Sequence, residues 1–195
     1  MYLIKLCLVA LGIFACAFSF GSDNSHVCVS SDGSFITFGQ SPARVSMRMY
    51  VSESCIYGDI TDHHVRLYIK LRNPSDDSVL FNGHLSFVYY QELELWARIK
   101  TRADEIMNSG IWEETSGRYA KYKIEADNPN KIAYISSSSD GVSLFECSLY
   151  TCEFEAKVDG SSMFYRSYGR YARGFDPAVA EDVIKDFIAQ LFKIY

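Results

Sequence analysis

At 195 residues, with 24 acidic against 19 basic side chains and a formal charge of -5, the chain lacks the field of a nucleic-acid binder. Its 14 Tyr and 13 Phe exclude a disordered polymer, and its length suffices for one sizeable core.

The first stretch, Met1 to Phe20, carries one cation, Lys5, then an apolar run from Leu6 to Phe18, then small residues. That pattern predicts a secretory signal peptide rather than a membrane span, with cleavage after Ala17 or Gly21. Residues 22–195 are then a single exported domain with no transmembrane segment, in a bacterial periplasm or outside the cell. An alternative is lipidation at Cys16, giving a lipid-anchored envelope component, although Phe14 suits such a signal poorly. Removing the leader removes Cys7 as well as Cys16, and leaves Cys28, Cys55, Cys147 and Cys152. An even number of cysteines in an exported chain favours two disulfides. No C-x-x-C pair occurs, so no zinc site is expected, and nothing in the sequence points to another metal or to a cofactor.

Along the mature chain, His26 to Ser30 and Phe35 to Phe38 read as short strands around the polar turn Ser31-Asp32-Gly33-Ser34. Arg44 to Val51 and His64 to Arg72 alternate with period two, placing Met47, Met49, Val65, Leu67, Ile69 and Leu71 inward. A turn at Asn73-Pro74-Ser75-Asp76-Asp77 leads to a further strand from Val79. The run Val65 to Phe81 resembles the strand–turn–strand of immunoglobulin-like sandwiches, a likeness of fold alone that implies no function.

From about residue 90 to 109 the period changes to that of a helix. Leu93, Trp96, Ile99, Ala103, Ile106 and Met107 fall on one face, Glu94 and Arg98 pair on the other, and Gly110 closes the element. Strands return around Ala120, Tyr122 and Ile124, from Lys131 to Ile135, from Val142 to Ser148, from Thr151 to Val158 and from Met163 to Tyr171. The terminal stretch, residues 176–195, is a second amphipathic helix. Asp176 is its N-cap, Pro177 its first residue, and Val179, Ala180, Val183, Ile184, Phe187, Ile188, Leu191, Phe192 and Tyr195 form its stripe. Glu181 and Asp182 lie toward the positive end of its dipole, and Glu181 can pair with Lys185. The order strands, helix, four or five strands, helix predicts an α+β fold, an antiparallel meander covered by two amphipathic helices.

Pairing Cys147 with Cys152 across a hairpin sets Phe145 opposite Phe154, and leaves Cys28 to join Cys55. In a chain-entropy account the short loop contributes about 2 kcal/mol and the longer one about 3–4.

Two stretches could carry function. Tyr165, Arg166, Tyr168, Arg170 and Arg173 lie in a segment with three arginines and no acid. Guanidinium forks and aromatic rings suit a carboxylated or phosphorylated ligand, an anionic glycan or an acidic protein partner. The segment Asp59 to His64 holds the chain's acid–histidine cluster, and Asp62 with His64 is the basis of a rival reading as a small secreted hydrolase. No nucleophile or phosphate-loop motif stands out. The leading expectation is a non-enzymatic exported binding or accessory protein acting by protein or glycan contact.

Overall fold

In a computed structural model the described residues are 28–38, 47–61, 64–89, 92–138, 141–149, 151–157 and 163–193. The expected leader with Cys16, the residues Asp62 and His63, and Tyr195 lie outside them. The elements in order are β1 (Ile36–Phe38), β2 (Met47–Met49), β3 (His64–Arg72), β4 (Val79–Tyr89), α1 (Glu92–Ser109), β5 (Ile111–Ser116), β6 (Tyr119–Glu125), β7 (Asn128–Ser138), β8 (Gly141–Ser148), β9 (Thr151–Lys157), β10 (Met163–Tyr171) and α2 (Pro177–Phe192). A short 3-10 turn, Glu53–Cys55, precedes β3.

Eight strands form one sheet in the order β3-β4-β10-β9-β8-β7-β6-β5, and β1 pairs with β2 in a separate ribbon. Every pairing is antiparallel. Helix α1 carries the chain from β4 to the far edge, and the meander β5 to β10 returns until β10 closes on β4. The strand–turn–strand at Val65 to Phe81 is therefore a hairpin at one edge of a single open sheet. Its turn is fixed locally. Asn73 Oδ1 accepts from the Ser75 N–H at 3.0 Å, Asp76 Oδ1 accepts from the Ser78 N–H at 3.0 Å, and Asp77 takes a left-handed conformation.

Register divides the sheet into two faces. One carries Val65, Leu67, Ile69 and Leu71 beside Phe81, Leu85 and Phe87, then Tyr165, Ser167 and Tyr171, then Phe154 and Phe145. These residues are buried together with Ala180, Ile184, Phe187, Ile188, Leu191 and Phe192 of α2 in one core. Rings interlock throughout it: Phe145 stacks on Phe154 at 3.9 Å, and Phe87 meets Phe192 edge-on at 5.4 Å. The opposite face meets α1, whose Ile99, Ala103 and Ile106 pack with Ala133, Ile135 and Leu144 in a second core.

The helix ends behave as their sequences dictate. Asp176 accepts from the Ala178 N–H at 2.8 Å, and Pro177 follows at the first helical position. Gly110 closes α1 for a different reason from the left-handed cap expected of it. A Cβ there would stand 2.6 Å from the Ile106 carbonyl oxygen and 3.0 Å from that of Lys123, so the helix end and β6 approach too closely for any side chain.

Both disulfides form in the expected pairing, Cys28–Cys55 and Cys147–Cys152. The second ties the ends of β8 and β9 around Leu149, which sits at φ 57, a conformation unfavourable for leucine. The staple offsets a turn that the local sequence disfavours.

Several expectations are corrected. Six strands, not four or five, follow α1, because Ile111–Ser116 is a strand that the sequence disguises. Its register slips between Trp112 and Glu114, which destroys the period-two signal. Met107 is exposed rather than core. Arg98 reaches Glu155 of β9 at 2.6 Å, while the side chain of Glu94, its expected partner, lies outside those described.

Glu181 stands near Lys185 as expected, but the sequence does not show the rest of its surroundings. It is 3% exposed. Its carboxylate accepts from Tyr119 Oη at 2.8 Å, from Arg118 at 2.7 and 2.9 Å and from Ser143 Oγ at 2.9 Å, and Lys185 stands 3.4 Å away. Burial pushes its pKa up, but the Tyr119 and Arg118 hydrogen bonds outweigh that and hold it below the usual value. Glu181 thereby ties α2 to β6 and β8.

Candidate functional site

The arginine–tyrosine strand is β10, and pleating splits its residues. Tyr165 points into the main core beside Phe154, at 5.6 Å between ring centroids. Arg166, Tyr168 and Arg170 stand on the opposite face, and Arg173 lies exposed beyond the strand. Arg166 is occupied: it pairs with Glu153 and, at 3.2 Å, with Glu155. Tyr168 and Arg170 remain as contact groups.

What surrounds them comes from strands β3 and β4. Tyr68 lies opposite His84, which lies opposite Tyr168, so three rings form a row across three strands. Both tyrosines are about half exposed, Tyr68 at 50% and Tyr168 at 54%. His84 is held between Tyr57 at 4.7 Å and Tyr68 at 5.3 Å. Its Nδ1 makes no hydrogen bond among the described residues, and burial followed by the nearby Arg66 charge lowers its pKa. Flanking the rings are Arg66, Lys70 and Arg170, none of which makes an ion pair among the described residues. Helix α1 contacts β6 and β8, and among the described residues this half of the face stays open.

Two glycines shape the floor. Gly83 and Gly169 face each other, and a Cβ on Gly83 would stand 2.5 Å from the Tyr168 carbonyl oxygen and 2.6 Å from the Gly169 Cα. The backbones of β4 and β10 are thus pinched together. The missing side chains belong to the core face, beside Phe81, and on the open face the glycine backbones floor a hollow of about 330 Å³ walled by Tyr68, His84, Tyr168, Arg170, Asn82 and Thr151.

The hollow is one of three in series. Toward the Cys28–Cys55 staple, a second of about 360 Å³ shares Tyr68 and Asn82 with it. Toward α1, a third of about 660 Å³ shares Thr151 and Tyr168. The result is a groove running across the strands.

The α1 end of the groove is walled by ion pairs. Arg102 clasps Glu146 through two nitrogens, each at 2.9 Å, while Arg98 and Arg166 converge on Glu155. Burial raises the Glu155 pKa against the pull of those two arginines. Glu146, Glu153 and Glu155 therefore stand as paired walls.

The Asp59 to His64 cluster gathers less. His64 opens β3 half-buried, with its pKa lowered by burial and then by Arg66, and Thr61 Oγ1 donates to its carbonyl oxygen at 3.4 Å. Asp59 is exposed, and Asp62 and His63 lie outside the described residues. Among the described residues no three His, Cys, Asp or Glu side chains cluster as a metal site, and no helix is long and apolar enough to cross a membrane.

Tyr68, Lys70, Asn82 and His84 are the site residues that sequence reasoning missed. The outward positions of β3 carried a signal, a cation–tyrosine alternation through Arg66, Tyr68, Lys70 and Arg72 like that of β10. Nothing in the sequence says that the two strands share a face with only β4 between them. No protein-family model, curated protein or solved structure matches this chain.

Proposed function

We propose, from the groove residues alone, that this chain is an exported binding module that takes an anionic ligand, a glycan or an acidic protein surface, on the open half of its sheet. In this reading α1 and α2 are the covers of opposite faces, and the sheet between them is a scaffold. The observation that carries it is the row Tyr68–His84–Tyr168 flanked by Arg66, Lys70 and Arg170, three cations with no ion-pair partner among the described residues. Rings offer flat apolar faces, and free cations offer charge-assisted hydrogen bonds to carboxylate, sulfate or phosphate. Rigid strands hold both in fixed relation. Two disulfides support export, because such bonds persist in oxidising compartments.

The test is calorimetric titration with carboxylated oligosaccharides and with an Asp/Glu-rich peptide, on the natural protein and on Lys70→Ser/Arg170→Ser. The double variant is expected to bind about tenfold or more weakly and to lose part of its salt dependence. Its melting is expected to change little, since exposed substitutions usually stay within about 0.5 kcal/mol. Unchanged affinity in the double variant, or no binding of either probe, overturns the reading. Cleavage of the oligosaccharide during titration replaces it with a hydrolytic one centred on Glu153 and Glu155.

A further inference from the structure

Across the open face, antiparallel register sets Lys70, Asn82, Arg170, Thr151, Ser148 and Lys131 side by side on six successive strands. This row runs the length of the groove, and each of its members lines one of the three hollows. It contains no carboxylate. The acids begin one row away, where Glu153 and Glu146 continue the line of Tyr68, His84 and Tyr168.

We infer that the occupant is a linear acidic oligosaccharide, charged on alternate sugars, lying crosswise to the strands along this row; the inference rests on the binding reading above. Spacing is the first argument. Lys70 and Arg170 are two strands apart and so about 10 Å from each other, and the whole row spans about 24 Å. A compact anion meets one cation in such a row, whereas a chain with charges on every second ring meets both. The intervening positions, Asn82, Thr151 and Ser148, are neutral donors and acceptors suited to hydroxyl groups. Tyr68 and Tyr168 flank the row with half-exposed rings against which sugar rings can lie.

Charge distribution is the second argument. A nucleic acid presents a phosphate at each residue and calls for a continuous basic track. Here Glu125, Glu146, Glu153 and Glu155 line the α1 end of the groove. Lys131 itself pairs with Glu125, leaving that end near neutral. A peptide is disfavoured because extended peptides add to a sheet edge, where free backbone groups are available. The groove crosses the middle of a sheet whose backbone is already paired.

The experiment uses oligosaccharides of graded length that alternate a uronate with a neutral sugar, such as hyaluronan fragments, titrated calorimetrically. Affinity is expected to rise about tenfold or more from the shortest fragment to one long enough to reach Lys131. Ser148 is exposed in the middle of the row's second half. Ser148→Trp is expected to abolish that gain while the shortest fragment, seated on Lys70 and Arg170, binds as before, and Ser148→Ala to remove only part of it. The length series on the unmodified protein decides the matter even if the tryptophan variant fails to fold. If long fragments bind no tighter than short ones while Lys70→Ser/Arg170→Ser still weakens the short one, the crosswise seat is wrong and the anion site stands. If the double variant weakens nothing, the binding reading falls first. Displacement of the longest fragment by single-stranded DNA or by an acidic peptide at lower concentration overturns the oligosaccharide assignment.

Discussion

Replacing Phe187 with alanine is expected to destabilise the fold by about 3–5 kcal/mol, the usual range for deleting a buried aromatic ring. Phe187 is central on α2 and 3% exposed, with Ile184, Ile188 and Leu191 of the same stripe buried beside it. The stripe packs against the face built by Val65 to Leu71, Phe81 to Phe87 and Tyr165 to Tyr171, so a void there opens inside a close-packed core. Total stabilities of such domains are about 5–15 kcal/mol, so the loss is a large share of the whole. Chemical denaturation checks it: the midpoint should fall sharply with little change in slope. A midpoint near that of the natural protein means that α2 carries no core and lies on the sheet loosely.

Glu181→Ala is expected to cost a similar amount, about 3–5 kcal/mol, by a different route. The carboxylate is buried, and its removal strips Tyr119 Oη, Ser143 Oγ and Arg118 Nε of their acceptor at once, while Arg118 Nη2 keeps Asp182 and the Ala178 carbonyl oxygen. Tyr119 is fully buried, so its hydroxyl cannot turn to water. Glu181→Gln keeps the shape and part of the hydrogen bonding but removes one of the two carboxylates that Arg118 pairs with, and is expected to fall between alanine and the natural residue. The pair also makes a pH prediction. The folded pKa of Glu181 lies below its ordinary 4.5, so the unfolded chain takes up the proton more readily. The stabilisation is therefore complete above about pH 4.5 and is lost as pH falls through the lowered folded value. Melting temperatures between pH 6 and pH 3 should drop less steeply for Glu181→Gln than for the natural protein. Equal slopes in the two proteins would contradict the assignment.

Strands such as β3 were legible because alternation is a local property: Val65, Leu67, Ile69 and Leu71 repeat without interruption, and all four are buried. The start of α2 was legible because Asp176 and Pro177 act within one turn of themselves. What stayed hidden depends on pairing. Strand β5 is an edge whose bulge shifts Glu114 by one position, so neither period nor hydrophobicity marks it. Glu181 was legible only as an acid four residues before a lysine, because Arg118 and Tyr119 are more than sixty residues away. The candidate site is half legible for the same reason. The run from Tyr165 to Arg173 was visible as a reversal of charge. Its division between two faces follows from the pleat, and the loss of Arg166 to Glu153 and Glu155 follows from the β9–β10 register. Lys70 and Arg170 stand on one face only because β4 and β10, far apart in the chain, are neighbours in the sheet.

The claim that the open half of the sheet is the binding surface is tested most directly by following backbone amide resonances as a uronate oligosaccharide is added to isotopically labelled protein. The account predicts the largest shifts at Tyr68, Lys70, Asn82, His84, Tyr168 and Arg170, extending to Thr151 and Ser148 with longer fragments. Shifts gathered instead on the exposed β5 edge, where Trp112 is 59% exposed, or along α2, with the groove silent, would contradict it.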